Sequence, residues 1–135
     1  SFIPGIKDYT KSDKERKIMT YEEFKEKVGS VILTDEGNCP VTPVVQMLQG
    51  KWKLQILYEQ SIKCTMRFGE LKKVLKPITN AALTNALKEL EADELVQRIQ
   101  YNEMPLRVEY FLTEKGRDLL PVFYAISQWG MKYIP

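Results

Sequence analysis

Asn80, Ala81, Thr84, Asn85 and Lys88 are residue types that can read the edges of base pairs. Asparagine offers adenine a donor and an acceptor together, a small side chain or a methyl packs on thymine, and a lysine meets phosphate. No carboxylate stands between Pro77 and Lys88, whereas Glu89, Glu91, Asp93 and Glu94 crowd the positions just behind. A helix entering the major groove needs this asymmetry, because the phosphates flanking the groove repel acids. The plainer reading is the solvated face of an ordinary amphipathic helix, since Asn, Thr and Lys are common surface residues, and at this point both readings stand. Cys39 and Cys64 carry a second chemistry. A thiol reacts as thiolate, which nearby positive charge or a helix N-terminus favours. Cys39 comes a few residues before a helical pattern, and Cys64 lies beside Lys63 and close to Arg67. The alternative is that both are small apolar fillers, as free cysteines often are.

Other chemistries lack their residues. The chain has no histidine and no CxxC pair, so neither a zinc site nor a disulfide framework is expected, and the commonest general base is missing. No Gly-rich phosphate loop, nucleophile elbow or spaced carboxylate pair appears, so the expectation is a non-enzyme without cofactor. At 135 residues with 44% hydrophobic and 28% charged content, the chain has the composition of one soluble domain plus an extension. No apolar run approaches the roughly 20 residues that span a bilayer, and no leader pattern opens the sequence, so a cytoplasmic protein is expected. The net charge of +2 is unevenly spread: residues 1–38 hold seven Lys/Arg against eight Asp/Glu, and residues 39–135 hold thirteen against ten. A basic body of this kind suits nucleic acid.

These candidates need elements to hold them. Residues 1–19 read as an arm. Thr20 with Glu23 is a capping-box signature for a short helix to about Val28, with Gly29 allowing a stop. Val31 to Leu33 reads as an extended segment and Asp35 to Asn38 as a turn. Pro43 suits the first turn of a helix carrying Val44, Val45, Met47 and Leu48, ended by Gly50. Lys51 to Gln60 is expected as a helix feeding Trp52, Leu54, Ile56, Leu57 and Tyr58 to the core. After a turn at Ser61 to Thr65, Arg67 to Leu75 should form another, with Phe68, Leu71, Val74 and Leu75 inward. Pro77 ends it and Thr79 caps the next, whose Ala82, Leu83, Ala86, Leu87 and Leu90 fall on one side at about 100° per residue. The pair makes a helix-turn-helix. Leu95 to Tyr101 and Arg107 to Leu112 are rich in β-branched and aromatic residues and five residues apart, a tight hairpin with Pro105 in its loop. In the second strand Val108, Tyr110 and Leu112 alternate with Arg107, Glu109 and Phe111, the period of a strand with one face on a core. Arg107 stands where a wing reaches along the backbone, with Asn102 as a polar neighbour. Glu103 at the tip favours a wing that skims phosphates, and Arg98 is a further cation of undetermined face. Thr113 caps a helix that Pro121 kinks or restarts, with Val122, Phe123, Ile126 and Trp129 at helical spacing. The expected fold is mainly α with a small β-hairpin, a winged helix-turn-helix.

CPVTPVVQMLQGKWKLQILYEQ, RFGELKKVLKPITNAALTNALKELEADELVQR and NEMPLRVEYFLTEKGRDLLPVFYAISQWG together resemble the HxlR-type winged-helix transcriptional regulators of prokaryotes. The likeness runs from about Cys39 to Gly130, so residues 1–38 are set apart as an N-terminal arm and residues 39–135 as the DNA-binding and dimerisation domain. The family usually has glycine where this chain has Gln49 and Glu94, both at turns. The resemblance implies a homodimer on operator DNA. It places DNA contacts at Arg67, Thr79, Asn80, Ala81, Thr84, Asn85 and Lys88, with Lys51, Lys53 and Arg107 as phosphate candidates. Two copies must reach successive major grooves about 34 Å apart. The resemblance puts the dimer interface on Val44, Val45, Met47, Phe123, Ile126 and Trp129, although some of these must fill the protomer's own core. It also implies that the cysteine of the Cys-Pro pair, Cys39, senses electrophiles or oxidants, with Cys64 a second candidate. Two further readings are carried: a winged helix whose helix face meets a protein instead of DNA, and a small-molecule pocket lined by Trp52, Tyr58 and Trp129.

Overall fold

A computed structural model of the chain describes residues 20–30 and 39–135. The arm over 1–19, the extended segment at Val31 to Leu33 and the turn at Asp35 to Asn38 lie outside the described residues. The chain divides into two units with the boundary between Met47 and Leu48. The first holds α1 (Tyr21–Ser30) and most of α2 (Thr42–Leu48). Thr20 caps α1 through its hydroxyl, which accepts from the Glu23 amide at 3.1 Å. The helix runs through Gly29 to Ser30 and does not stop at the glycine.

The second unit contains α3 (Lys53–Ile62), β1 (Thr65–Arg67), α4 (Phe68–Val74), α5 (Asn80–Ala92), β2 (Val96–Tyr101), β3 (Arg107–Leu112), α6 (Glu114–Arg117) and α7 (Leu120–Tyr133). Its core is Ile56 and Leu57 of α3, Met66 of β1, Leu71 of α4, Leu83 and Leu90 of α5, and Leu95 and Val96 at the entry to the hairpin, all nearly solvent-free. Burying a side chain of this size stabilises the fold by about 1.5–3 kcal/mol, so these helices are held by packing on the sheet. The core differs from the sequence expectation at the helix margins. Leu54, Tyr58 and Val74 are exposed, and Trp52 and Phe68 are half-buried. Each apolar stripe is narrower than the run of apolar residues suggests.

The sheet has three strands in the order β1-β3-β2, both pairings antiparallel. β1 replaces the end of the expected turn and the start of the expected helix: Thr65, Met66 and Arg67 pair with Phe111, Tyr110 and Glu109. This makes β3 the central strand. All its residues but Leu112 are half-buried, because Arg107 and Glu109 cover one another on one face while Val108 and Tyr110 occupy the other. The Gln60 side-chain N–H donates to the Tyr110 carbonyl at 3.2 Å and ties α3 to this strand.

The turn from α5 into the hairpin is a Schellman motif. The Leu95 amide donates to Leu90 O and the Glu94 amide to Glu91 O, with Glu94 at φ 60°. α6 is fastened to that turn by Thr113 Oγ1 donating to Glu94 O and by Lys115 Nζ donating to Asp93 O. Thr113 also caps α6 by accepting from the Gly116 amide, and α7 restarts with Pro121 in its first turn.

Candidate nucleic-acid interface

α4 and α5 form the helix-turn-helix. Leu75 and Ile78 bury in the connection, and Thr79 caps α5 by accepting from the Ala82 amide at 3.1 Å. Leu83, Ala86, Leu87 and Leu90 face the core, which turns Asn80, Ala81, Asn85 and Lys88 outward and leaves Thr84 half-buried. The first turn of α5 holds no acid. The outer face of this helix therefore presents two side-chain amides, a methyl and an ammonium group, with its orphan N–H groups at the same end. Arg67 is exposed at the start of α4, its backbone amide donating to the Glu70 carboxylate at 3.1 Å.

The wing lies beside this helix. Thr84, Lys88 and Arg98 line one shallow depression together with Glu91 and Tyr110, which settles the face of Arg98: it stands with the outward residues of α5. Its guanidinium donates to Gln100 Oε1 at 3.1 Å. On the other helix of the motif, Lys72, Lys73 and Lys76 cluster around a surface depression with Gly69 and Ile78. Sequence reading passed over these three cations, although three lysines within five residues at the end of a helix were visible.

Two predicted phosphate contacts stand in ion pairs. Lys53 is 9% exposed, and its Nζ lies 2.6 Å from Glu89 Oε2. This ion pair ties α3 to α5. Arg107 bridges Glu103 at 3.0 Å and Glu109 at 3.2 Å, and its guanidinium stacks 3.9 Å from the ring of its cross-strand partner Tyr101. Two carboxylates and a ring thus hold Arg107 in the wing. Lys51 remains exposed, 4.8 Å over the Trp52 ring.

The residues expected at a dimer interface differ in their exposure. Met47 is buried within the single chain, Val44 is half-buried and Val45 is exposed. α7 has no buried residue at all. Phe123 is half-buried, and Ile126 and Trp129 are about 60% exposed, with Val122, Tyr124, Met131 and Tyr133 exposed beside them. So much apolar surface on one helix is a mark of an interaction site.

Both cysteines are free and exposed. The Cys39 thiol is held below its ordinary pKa by a hydrogen bond from the Thr42 side chain and by the backbone N–H groups of Val41 and Thr42. No group of ligands suited to a metal ion occurs among the described residues, and none of their helices is long and apolar enough to cross a membrane.

The model of the HxlR-like helix-turn-helix family matches residues 47–135. The chain belongs to the HxlR family. Among HxlR-type relatives, the uncharacterized HTH-type transcriptional regulator YdzF of Bacillus subtilis is 42% identical over 92 residues, covering 68% of this chain and 84% of that protein. The redox regulator HypR in its oxidized form superposes with a TM-score of 0.65 at 39% identity, over 72% of this chain and 99% of HypR. The reduced transcriptional regulator YodB from B. subtilis gives 0.65 at 32% identity, over 71% of this chain and 94% of YodB, and it has also been solved after diamide treatment. This HxlR-type chain is accordingly a transcription regulator of the winged helix-turn-helix type and not an enzyme.

Proposed function

We propose that the chain binds operator DNA as a homodimer, with α5 as the recognition helix, and that oxidation of Cys39 controls the binding. The observation that carries this reading is the acid-free N-terminal half of α5, where Asn80, Ala81 and Asn85 stand exposed ahead of Lys88. In this account Asn80, Ala81, Thr84 and Asn85 read bases, and Thr79 fixes the start of the helix. Arg67, Lys51, Lys88, Arg98 and the Lys72, Lys73 and Lys76 cluster hold phosphates, setting affinity and its salt dependence. Lys53, paired with Glu89, and Arg107, paired with Glu103 and Glu109, add further phosphate contacts at these ion pairs. The exposed apolar α7, with Phe123, Ile126 and Trp129, supplies the contact between two copies, to which Val44 and Val45 add.

Thiol control draws its support from two sources. The relatives HypR and YodB are described in oxidized, reduced and diamide-treated forms, and Cys39 is exposed with its thiolate favoured by three hydrogen bonds. Cys64 is also exposed.

The test is fluorescence anisotropy of labelled duplexes from the region upstream of the protein's own gene, against scrambled duplexes, at two salt concentrations with and without diamide. Selective binding that weakens with salt and changes on oxidation in wild type, but not in Cys39→Ser, is the expected result. Equal weak binding to every duplex would overturn the reading in favour of a protein partner for the helix face.

A further inference from the structure

The loop between β2 and β3, residues 102–106, is the tip of the wing. Its base is braced from both strands. The Glu103 amide donates to the Tyr101 carbonyl at 2.9 Å. The Glu103 carboxylate accepts from the Arg107 guanidinium at 3.0 Å, and that guanidinium lies 3.9 Å from the Tyr101 ring. Beyond this brace Met104, Pro105 and Leu106 are all exposed, Met104 at 99% and Leu106 at 59%. An apolar side chain alone on a surface is ordinary, but three in a row at the end of a braced hairpin make a projecting contact surface. Glu103 is the one charged residue of the loop, and its charge is paired.

The wing shares a side with α5. Arg98 and its cross-strand partner Tyr110 line one depression with Thr84 and Lys88 of that helix. Tyr101 lies three residues further along β2, so the tip begins about 10 Å beyond the depression at the rise of a strand. With α5 in the major groove, Lys88 and Arg98 meet the phosphates that border it, and a projection of that reach crosses them to the adjacent minor groove. We propose that Met104 and Leu106 form an apolar wedge that enters this minor groove and partly unstacks one base step. The proposal rests on the reading of α5 as the recognition helix. Methionine, leucine and proline are among the side chains that wedge between base steps and kink a duplex. A tip braced in advance loses little freedom on insertion. The wedge supplies specificity without contact to base edges, because TA and CA/TG steps unstack more readily than stiff A-tracts. The sequence expects Glu103 to keep the wing on the phosphates, but its pairing with Arg107 leaves apolar side chains to lead the tip.

The experiment uses the full chain and duplexes from the region upstream of its own gene, with 2-aminopurine replacing adenine at one position at a time. This base brightens when it loses its stacking neighbour, and an end label on the same duplexes reports binding by anisotropy. At saturating protein, wild type is expected to brighten a step flanking each half-site and no other. Met104→Ser/Leu106→Ser should abolish that rise and weaken binding about tenfold. Changing the brightened step to an A-tract should weaken wild type by a similar factor and leave the double variant unaffected. Both side chains are exposed, so the variant should keep its helicity by circular dichroism. Binding by wild type with flat emission at every position, or a rise that survives in the variant, would overturn the wedge and leave the DNA-binding reading standing. Absence of binding to every duplex would overturn both.

Discussion

Glu94 sits at φ 60° as the residue that closes the Schellman turn after α5, a conformation that costs an L-residue with a β-carbon about 1–2 kcal/mol. The family's usual glycine at this turn has no such cost, so Glu94→Gly should raise unfolding free energy by about 1 kcal/mol. Urea denaturation checks this, and unchanged or lower stability would contradict it. At Cys39 the prediction concerns reactivity. Because the Thr42 side chain and two backbone amides favour the thiolate, alkylation should persist to lower pH than for an ordinary cysteine and be lost as pH falls through the depressed pKa. Thr42→Val removes the leading donor and should move that midpoint upward, read by mass spectrometry of iodoacetamide labelling against pH. At this scale the sequence was only partly legible. The types and spacing of Asn80, Asn85 and Lys88 announced an outward face, because a helix turns periodicity directly into direction. Lys53 and Arg107 could not be judged in that way. A lysine with a buried stem reaching Glu89 on another helix looks, in sequence, like any surface cation.

Gly116 shows what holds α6 against the hairpin. A β-carbon there would press into the Leu95 carbonyl and lie 3.1 Å from Leu112 Cδ2. That carbonyl already accepts from the Thr113 amide at 3.1 Å, so the backbone has little freedom to move aside. Gly116→Ala should therefore destabilise the fold by about 1–3 kcal/mol, measured by thermal or urea unfolding, and a silent substitution would refute this account of the packing. α5 and the hairpin were readable because each is long, strongly patterned and bounded by Pro77, Thr79 and the loop at Pro105. β1 was not, since three residues with a single buried Met66 carry no period; only pairing with β3 makes them a strand. That omission also left β3 paired on one edge only, whereas it lies at the centre of the sheet.

For the whole molecule, the exposed apolar surface of α7 is what the proposed dimer rests on. The same Phe123, Ile126 and Trp129 stripe reads equally well in sequence as core or as interface, and in the single chain Ile126 and Trp129 are exposed and Phe123 half-buried. Replacing Ile126 and Trp129 together by glutamate should convert a dimer to a monomer at micromolar concentration by light scattering, with helicity retained. A monomeric wild type would remove the dimer from the account. The central claim is that the outward residues of α5 choose the DNA sequence. It is tested most directly by comparing wild type with Asn80→Ala/Asn85→Ala on a selected operator and on a scrambled duplex of equal length. The account predicts that the double variant keeps its salt-dependent affinity for any duplex but loses most of its preference for the operator, since each bidentate base contact is worth about 1–3 kcal/mol of discrimination. An operator preference that survives both substitutions intact would contradict it.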